Sequence, residues 1–238
     1  MKASPLFRFA QISDIHLIEP GSEAPLRTVL ARIQQERPDF VLFSGDETEN
    51  GSAEQYALFL ECLQKMDLPY HILPGNHDLG NAGMSQWYQE RFGALNTAWE
   101  IGGCCCLTLD TTNDDPVPGN WHGRVEAPAL EWLRDTLDAI PPEKPLILFT
   151  HHGLVGNPED LTLDVVNAEE VMAHFRGRRL LAGFNGHAHR LSVHHWNAVP
   201  FISVPALTIT RETNGVAPGY LQATVYPDAV QASLALLL

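Results

Sequence analysis

The chain has 238 residues, and its hydrophobic fraction of 45% is ordinary for a globular protein. Fifteen Lys and Arg against 29 Asp and Glu give a formal net charge of −14, which argues against binding of a nucleic-acid duplex. Phosphate substrates are not excluded, because bound metal ions can dominate the local charge of a site. We find no signal peptide and no run of 18 apolar residues, so we expect a cytoplasmic protein without a membrane partner.

The first 80 residues predict an alternation of strands and helices. Strand-like runs lie at Phe7–Ser13, Asp39–Ser44 and Tyr70–Leu73. Between them, apolar residues recur at helical spacing up to Pro38, and Ser52 with Gln55 forms a capping box for a second helix. The order βαβαβ implies a parallel sheet.

The rest of the chain predicts a second set of elements. Helices are expected at 83–92 and 130–140, a short helix capped by Asn167 follows, and strands are expected at 98–110, 146–150 and 180–184. From Arg190 onward, short strands and turns predict an antiparallel arrangement without a helix. We therefore predict an α/β (α+β) fold with two mixed sheets packed together and helices on both outer faces. This four-layer α/β/β/α sandwich is expected to be a single domain of residues 1–238.

Three of the four cysteines, Cys104 to Cys106, are adjacent in a strand-like run. Successive side chains of a strand point to opposite faces, so this spacing fits neither a zinc site nor a disulfide framework. We predict that these cysteines, and Cys62 in a helix, are small core residues.

A polar turn follows the third predicted strand. Pro74 ends the strand, and Gly75 permits a backbone conformation that most residues resist. Asn76, His77 and Asp78 come next, where an amide oxygen is a plausible metal ligand and an imidazole a plausible ligand or acid. The turn is therefore a candidate site at the edge of the sheet, where α/β proteins bind ligands.

Four other groups of polar residues also follow predicted strands. They are Asp14 with His16, Asp46, His151 with His152, and His187 with His189. A single such group is usually a loop cap, but five groups at strand ends predict convergence at one edge. Unpaired, so many His and Asp side chains would be costly to bury together.

The chemistry of this set predicts a metal centre. Oxygen and imidazole ligands without thiolate suit Mn, Fe, Zn, Co or Ni. Seven candidate ligands exceed the need of one ion with an open position, whereas two ions that share a carboxylate would use them well. Asp46, between a strand and a turn, is a candidate for the shared carboxylate.

The ordered motifs resemble the calcineurin-like metallophosphoesterase superfamily, and most closely its bacterial class III cyclic-nucleotide phosphodiesterase-like proteins. The motifs are Asp14-x-His16, Gly45-Asp46, Gly75-Asn76-His77-Asp78, His151 and Gly186-His187-x-His189. They span residues 14 to 189. Two positions depart from the family pattern, since Glu49 stands where an Asp is common and Gly153 lies in a stretch that is usually Pro-rich.

The resemblance implies a role for each motif residue. One metal would be bound by Asp14, His16 and His189, the other by Asn76, His151 and His187, with Asp46 as the bridge. His77 would contact the phosphoryl group and protonate the leaving oxygen, and Asp78 would orient His77. The ions would be divalent or trivalent Mn, Fe or Zn, and a hydroxide that bridges them would attack phosphorus.

The function predicted from this resemblance is a phosphodiesterase for a small phosphoester, with cyclic nucleotides as candidate substrates. A phosphomonoesterase or protein phosphatase would use the same centre. A non-catalytic scaffold of the same fold is less favoured, because no ligand is missing. The sequence leaves the oligomeric state open, a homodimer included.

Several residues near the motifs have two interpretations. His152 is either a substrate contact or, as spacing favours, the outward-facing neighbour of His151. Trp121 and His122 either overhang the site or, as favoured, belong to a surface loop. His194 and His195 are expected to be structural. The loops 111–123 and 153–166 are candidates for covering the site.

Overall fold

A computed structural model describes residues 4–79, 84–113, 121–208 and 218–237. The strands of this part of the chain are β1 (Phe7–Ile12), β2 (Phe40–Ser44), β3 (Tyr70–Leu73), β4 (Thr97–Ile101), β5 (Cys104–Thr108), β6 (Leu146–Phe149), β7 (Leu180–Asn185), β8 (Ser192–Trp196), β9 (Val199–Ser203), β10 (Gly219–Tyr226) and β11 (Ala229–Leu236). The helices are α1 (Ala24–Glu36), α2 (Ala53–Leu63), α3 (Asn76–Leu79), α4 (Met84–Phe92), α5 (Ala127–Ala139) and α6 (Ala168–Ala173), and a 3₁₀ turn covers Pro158–Asp160.

The strands form two mixed sheets. The first has the order β11-β10-β1-β2-β3. In it, β1, β2 and β3 are parallel, β10 is antiparallel to β1, and β11 is antiparallel to β10. The second has the order β4-β5-β6-β7-β9-β8, in which β5, β6, β7 and β9 are parallel and β4 and β8 are antiparallel outer strands.

The predicted parallel front half is confirmed, but the predicted antiparallel back half is divided between the sheets. The last two strands return to β1 and complete the first sheet, while β9 pairs in parallel with β7. Long connections make this exchange possible, and turn residues alone do not reveal which sheet a strand joins.

Three apolar cores pack the layers against one another. Between the sheets, Phe9 of β1 meets the rings of Phe149 and Phe184 edge-on, with centroids 5.3 and 5.1 Å apart. A second core joins α1 and α2 to the outer face of the first sheet, and a third joins α5 and α6 to the second sheet. This arrangement confirms the predicted helix, sheet, sheet, helix layers.

Local signals in the sequence set several boundaries. α1 ends at Glu36, and Arg37 then adopts a left-handed φ of 50° before Pro38. Ser52 caps α2 by accepting a hydrogen bond from the Gln55 amide, as predicted. Cys104 and Cys106 lie in the core between the sheets and Cys105 in the helix-side core, and all are free thiols.

Among the helices of the described ranges, none is both long and apolar enough to cross a membrane. The predicted loop 111–123 is described only at 111–113 and 121–123, and residues 114–120 lie outside the described residues.

Candidate metal centre

The backbone is left-handed at five of the residues that the sequence predicts as metal ligands. Their φ angles are 53° for Asp14, 49° for His16, 55° for Asp46, 63° for His187 and 52° for His189. Residues other than glycine rarely adopt such angles, and they persist where surrounding contacts hold them. Here the contacts are backbone hydrogen bonds across strand ends, such as Asp14 N–H to Gly45 O at 3.0 Å.

Two glycines allow the strand ends to approach one another. A Cβ on Gly75 would collide with the Asp46 carboxylate, and a Cβ on Gly186 would collide with Ser13 and Asp14. Gly75 does not have a positive φ, so the expected special backbone conformation is wrong at this position. Glycine is needed there because of the close approach of Asp46.

The first group of ligand atoms comes from both sheets. Asp14, His16 and Asp46 follow β1 and β2, whereas His189 follows β7. His189 Nε2 lies 3.2 Å from Asp14 Oδ1 and 3.2 Å from His16 Nε2, and His16 Nε2 lies 3.7 Å from Asp46 Oδ2. All four side chains are buried.

The second group shares Asp46 with the first. His151 Nε2 lies 3.3 Å from Asp46 Oδ2 and 3.2 Å from Asn76 Oδ1. His187 lies on this side as well, since its ring is 5.2 Å from that of His151, and His151, His152 and His187 form one cluster of potential ligands. The same oxygen of Asp46 therefore faces both groups.

Neighbouring acceptors orient the imidazole rings. Nδ1 of His16 donates to the Glu49 carboxylate at 2.9 Å, and Nδ1 of His151 donates to the Ser44 carbonyl at 2.8 Å. Both rings therefore direct Nε2 toward the centre. His187 is reversed, because its Nε2 lies 2.7 Å from Asp164 Oδ2 and Nδ1 is the nitrogen left for a ligand role.

The electrostatics favour positive charge at this place. Burial alone raises the pKa of Asp14, but the charge and hydrogen bond of His189 outweigh it and lower the pKa to about 2. Burial lowers the pKa of His16, yet the hydrogen bond with Glu49 and the charge of Asp46 raise it to about 9. Burial is likewise outweighed by Asp46 at His151, whose pKa rises to about 10. A metal cation would be stabilised by the same carboxylates.

The donor set and its spacing fit metal ions. His16 Nε2 and His189 Nε2 lie 3.2 Å apart, a separation that either a proton shared between the rings or one metal ion bound to both can stabilise. Contacts of 3.2 to 3.7 Å between ligand atoms are close to the separation of about 3 Å expected around one ion with bonds of about 2.1 Å. The buried donors are nitrogen and oxygen only, a set that suits Mn, Fe or Zn.

His77 lies beside the first group, and its ring is 4.7 Å from that of His16. The Glu49 carbonyl accepts from His77 Nδ1 at 2.7 Å, so Glu49 supports one ligand through its carboxylate and His77 through its backbone. The predicted orienting role of Asp78 is wrong, because its buried carboxylate accepts from the amides of Glu47, Thr48 and Gly75 and from the Thr48 hydroxyl. Asp78 holds the turn that carries His77 instead.

The structure decides between the two interpretations of His152 and of Trp121. His152 is fully buried with its ring 4.4 Å from that of His187, so the outward-facing orientation is wrong. Trp121 stacks on His77 with ring centroids 5.2 Å apart, so the Trp121 segment does overhang the site. His194 and His195 lie in the outer strand β8, away from the ligand groups.

Asp164 is the site residue that the sequence reasoning missed. Its buried carboxylate contacts His187 Nε2 at 2.7 Å and His122 Nδ1 at 2.6 Å. Asp164 does not follow a strand directly, and nothing in its local sequence separates it from other loop carboxylates. Only its position within the candidate covering loop 153–166 pointed toward the site.

Comparison with known proteins finds a family whose model matches most of the chain. The model of the family described as calcineurin-like phosphoesterase matches residues 7–191. A relative from Arcobacter nitrofigilis named probable glycerophosphodiester phosphodiesterase is 30% identical over 209 residues, which are 79% of this chain and 74% of the relative. A 3′,5′-cyclic adenosine monophosphate phosphodiesterase from Haemophilus influenzae is 29% identical over 226 residues, 86% of this chain and 78% of that protein.

Among solved structures, a dimetal phosphatase from Danio rerio superposes with a TM-score of 0.75. The match covers 97% of this chain and 96% of the phosphatase at 16% sequence identity. At this identity the likeness supports the fold alone.

Proposed function

Because the chain belongs to the calcineurin-like phosphoesterase family, we propose that it is a phosphodiesterase that works with two metal ions. The observation that carries this proposal is the position of Asp46 Oδ2, which lies 3.7 Å from His16 Nε2 and 3.3 Å from His151 Nε2. A carboxylate oxygen between two groups of nitrogen and oxygen donors suits a bridge between two ions.

The proposed ligand sets follow the two groups. One ion would be held by Asp14, His16, Asp46 and His189, and the other by Asp46, Asn76, His151 and His187. Ions of Mn, Fe or Zn held there would supply hydroxide near neutral pH and neutralise charge on the phosphoryl oxygens. The protein contributes the orientation of the donors through Glu49, Ser44 and Asp164.

His77 is the proposed general acid. Its Nδ1–H donates to the Glu49 carbonyl, so a second proton on Nε2 can pass to the leaving oxygen. The backbone acceptor supports this role because it engages Nδ1 and limits rotation of the imidazole.

A phosphodiester is the favoured substrate class, because curated relatives are named as phosphodiesterases for glycerophosphodiesters or cyclic nucleotides. A phosphomonoesterase or protein phosphatase activity on the same centre is the alternative. A scaffold without catalysis is less favoured, because the seven predicted ligands are all in place in the sequence. Residues 1–238 as one domain, a cytoplasmic location and a homodimer stay predictions.

The proposed activity is tested by metal removal and restoration. We expect that the purified protein loses hydrolysis of bis(p-nitrophenyl) phosphate and 3′,5′-cyclic AMP after dialysis against chelator. Addition of Mn²⁺ should restore the activity, and p-nitrophenyl phosphate should be a poorer substrate. Full activity in excess chelator would contradict the metal mechanism, and a preference for the monoester would favour the alternative.

A His77→Ala variant is the matched control, because it removes the acid and leaves every proposed ligand. Its kcat should fall by roughly 10² to 10⁴-fold. Its metal content, measured by atomic emission, should equal that of the unmodified protein. Loss of metal in this variant would make His77 a ligand.

A further inference from the structure

Trp121 is an exposed aromatic residue at the candidate metal centre. Its indole stacks on the His77 imidazole, with ring centroids 5.2 Å apart and an interplanar angle of 21°. Despite this contact, 53% of the Trp121 surface is exposed. The indole therefore offers a flat aromatic surface beside the candidate site.

The backbone of Trp121 is fixed by a hydrogen bond with His152. The Trp121 carbonyl accepts from His152 Nε2 at 3.1 Å, and His152 Nδ1 lies 2.9 Å from the Thr111 hydroxyl. With Nε2 donating to the Trp121 carbonyl, Nδ1 of His152 accepts from the Thr111 hydroxyl, so both ring nitrogens are engaged.

The residues after Trp121 are tied to the opposite loop. His122 Nδ1 lies 2.6 Å from Asp164 Oδ1, and the Gly123 amide donates to the Asp164 carbonyl at 2.8 Å. Val166 N–H in turn donates to the Gly123 carbonyl at 2.9 Å. Segment 121–123 is thus fixed on two sides, and the indole is held in place over His77.

From this arrangement we propose that Trp121 determines specificity by stacking on a planar ring of the substrate, and that the ring is a nucleobase. The inference rests on the proposed phosphodiesterase function and deepens it. A phosphate at the metal centre and a proton donor at His77 place the ester group of the substrate beside the indole. A nucleoside has a π-face to stack there, whereas a glycerol group has none.

The expected change in KM follows from the free energy of stacking between a base and an aromatic side chain. Removal of an aromatic platform weakens base binding by about 5- to 100-fold. Trp121→Ala should therefore raise KM for 3′,5′-cyclic AMP by this factor. Trp121→Phe retains a flat ring and should restore most of the affinity.

The experiment measures kcat and KM of the Mn²⁺-loaded protein for two diesters, 3′,5′-cyclic AMP and glycerophosphoethanolamine. We expect Trp121→Ala to change KM for the second substrate less than 2-fold. Tyr70→Ala is the control, because Tyr70 is also an exposed aromatic residue but lies at the opposite end of β3 from the site. Both KM values should be unchanged in Tyr70→Ala.

Equal changes for both diesters in Trp121→Ala would overturn the proposal, since the indole would then act only through His77 or the fold. Unchanged KM for cyclic AMP would overturn it as well. If the unmodified protein turns over neither diester, the phosphodiesterase proposal fails separately. Calorimetric binding of AMP to the metal-loaded protein then decides the stacking role, with a 5- to 100-fold weaker Kd in Trp121→Ala in favour and an unchanged Kd against.

Discussion

At the scale of single residues, Asp164 connects the proposed ligand His187 to the segment that carries Trp121 and His122. One carboxylate oxygen contacts His187 and the other contacts His122, at 2.7 and 2.6 Å. A carboxylate on the outer nitrogen of a ligand imidazole sets both its tautomer and its orientation. Asp164 is therefore a positioning residue for His187.

Asp164→Ala should weaken binding of Mn²⁺ by about 10- to 100-fold, because His187 loses the acceptor that fixes its ring. Asp164→Asn keeps an acceptor and should restore part of the affinity. Competition with a fluorescent chelator measures these affinities. His122→Ala removes the other contact of the same carboxylate and should leave the affinity unchanged. Equal affinities in Asp164→Ala and the unmodified protein would contradict the positioning role.

Asp78 illustrates what adjacency in sequence does not reveal. The sequence places a carboxylate next to His77, and such a neighbour could orient the ring. Successive side chains of a helical turn point about 100° apart, however, and residues 76–79 form the short helix α3. Asp78 consequently turns into the protein, while the Glu49 carbonyl reaches His77.

At the scale of elements, the turn after β2 and the helix α3 form one buried unit. Glu47 is fully buried in this unit, and its amide donates to Asp78 Oδ2 at 3.3 Å. Burial, followed by the neighbouring Asp78 carboxylate, raises the pKa of Glu47 well above its usual value. The folded protein therefore holds a proton on Glu47 that the unfolded chain releases above about pH 4.5.

Because of this proton on Glu47, the free energy of unfolding falls as pH rises. Below the pKa that Glu47 has in the unfolded chain, both states are protonated and Glu47 does not reduce the free energy of unfolding. As pH rises toward the folded pKa, the unfolded state binds fewer protons and is favoured by up to about 1.4 kcal/mol per pH unit. Glu47→Gln is always neutral, so its stability relative to the unmodified protein should increase from pH 5 to pH 7. Urea unfolding at both values, under identical metal conditions, tests this, and a difference independent of pH would contradict the protonated state.

The short helix α6 shows how a distant contact adds to a local one. Asn167 lies at the predicted cap position and its side chain donates to the Glu170 carboxylate at 3.1 Å, but it makes no hydrogen bond to the backbone of the helix. The same side chain accepts from the Val125 amide at 3.1 Å and donates to the Val125 carbonyl at 3.0 Å. These bonds join the start of α5 to the start of α6, and a partner 42 residues away has no local signal in the sequence.

At the scale of the whole molecule, the proposed ligands come from the ends of both sheets. Asp14, Asp46 and Asn76 follow strands of the first sheet, and His151, His187 and His189 follow strands of the second. Ions bound between them would join the two halves of the sandwich. Metal binding should therefore stabilise the entire fold by mass action.

At 100 times Kd, each site should add about 3 kcal/mol, which corresponds to a Tm increase of roughly 5 to 10 °C for a chain of this size. Thermal unfolding with chelator and with excess Mn²⁺ measures the change. Asp46→Asn should lose most of the increase, because both sites share this carboxylate. A similar increase in the variant and the unmodified protein would show that the ions bind elsewhere.

The sequence by itself determined the layers of the fold, the family and the residues that gather at the strand ends. These features depend on local signals, namely apolar periodicity and polar residues placed directly after strands, which parallel pairing brings to one edge. Only the tertiary structure decided the burial of His152, the contacts of Asp164, the turn of Asp78 away from His77 and the stacking of Trp121 on His77. Each of these depends on which loops meet in space, because the energy of such a contact comes from a partner far along the chain.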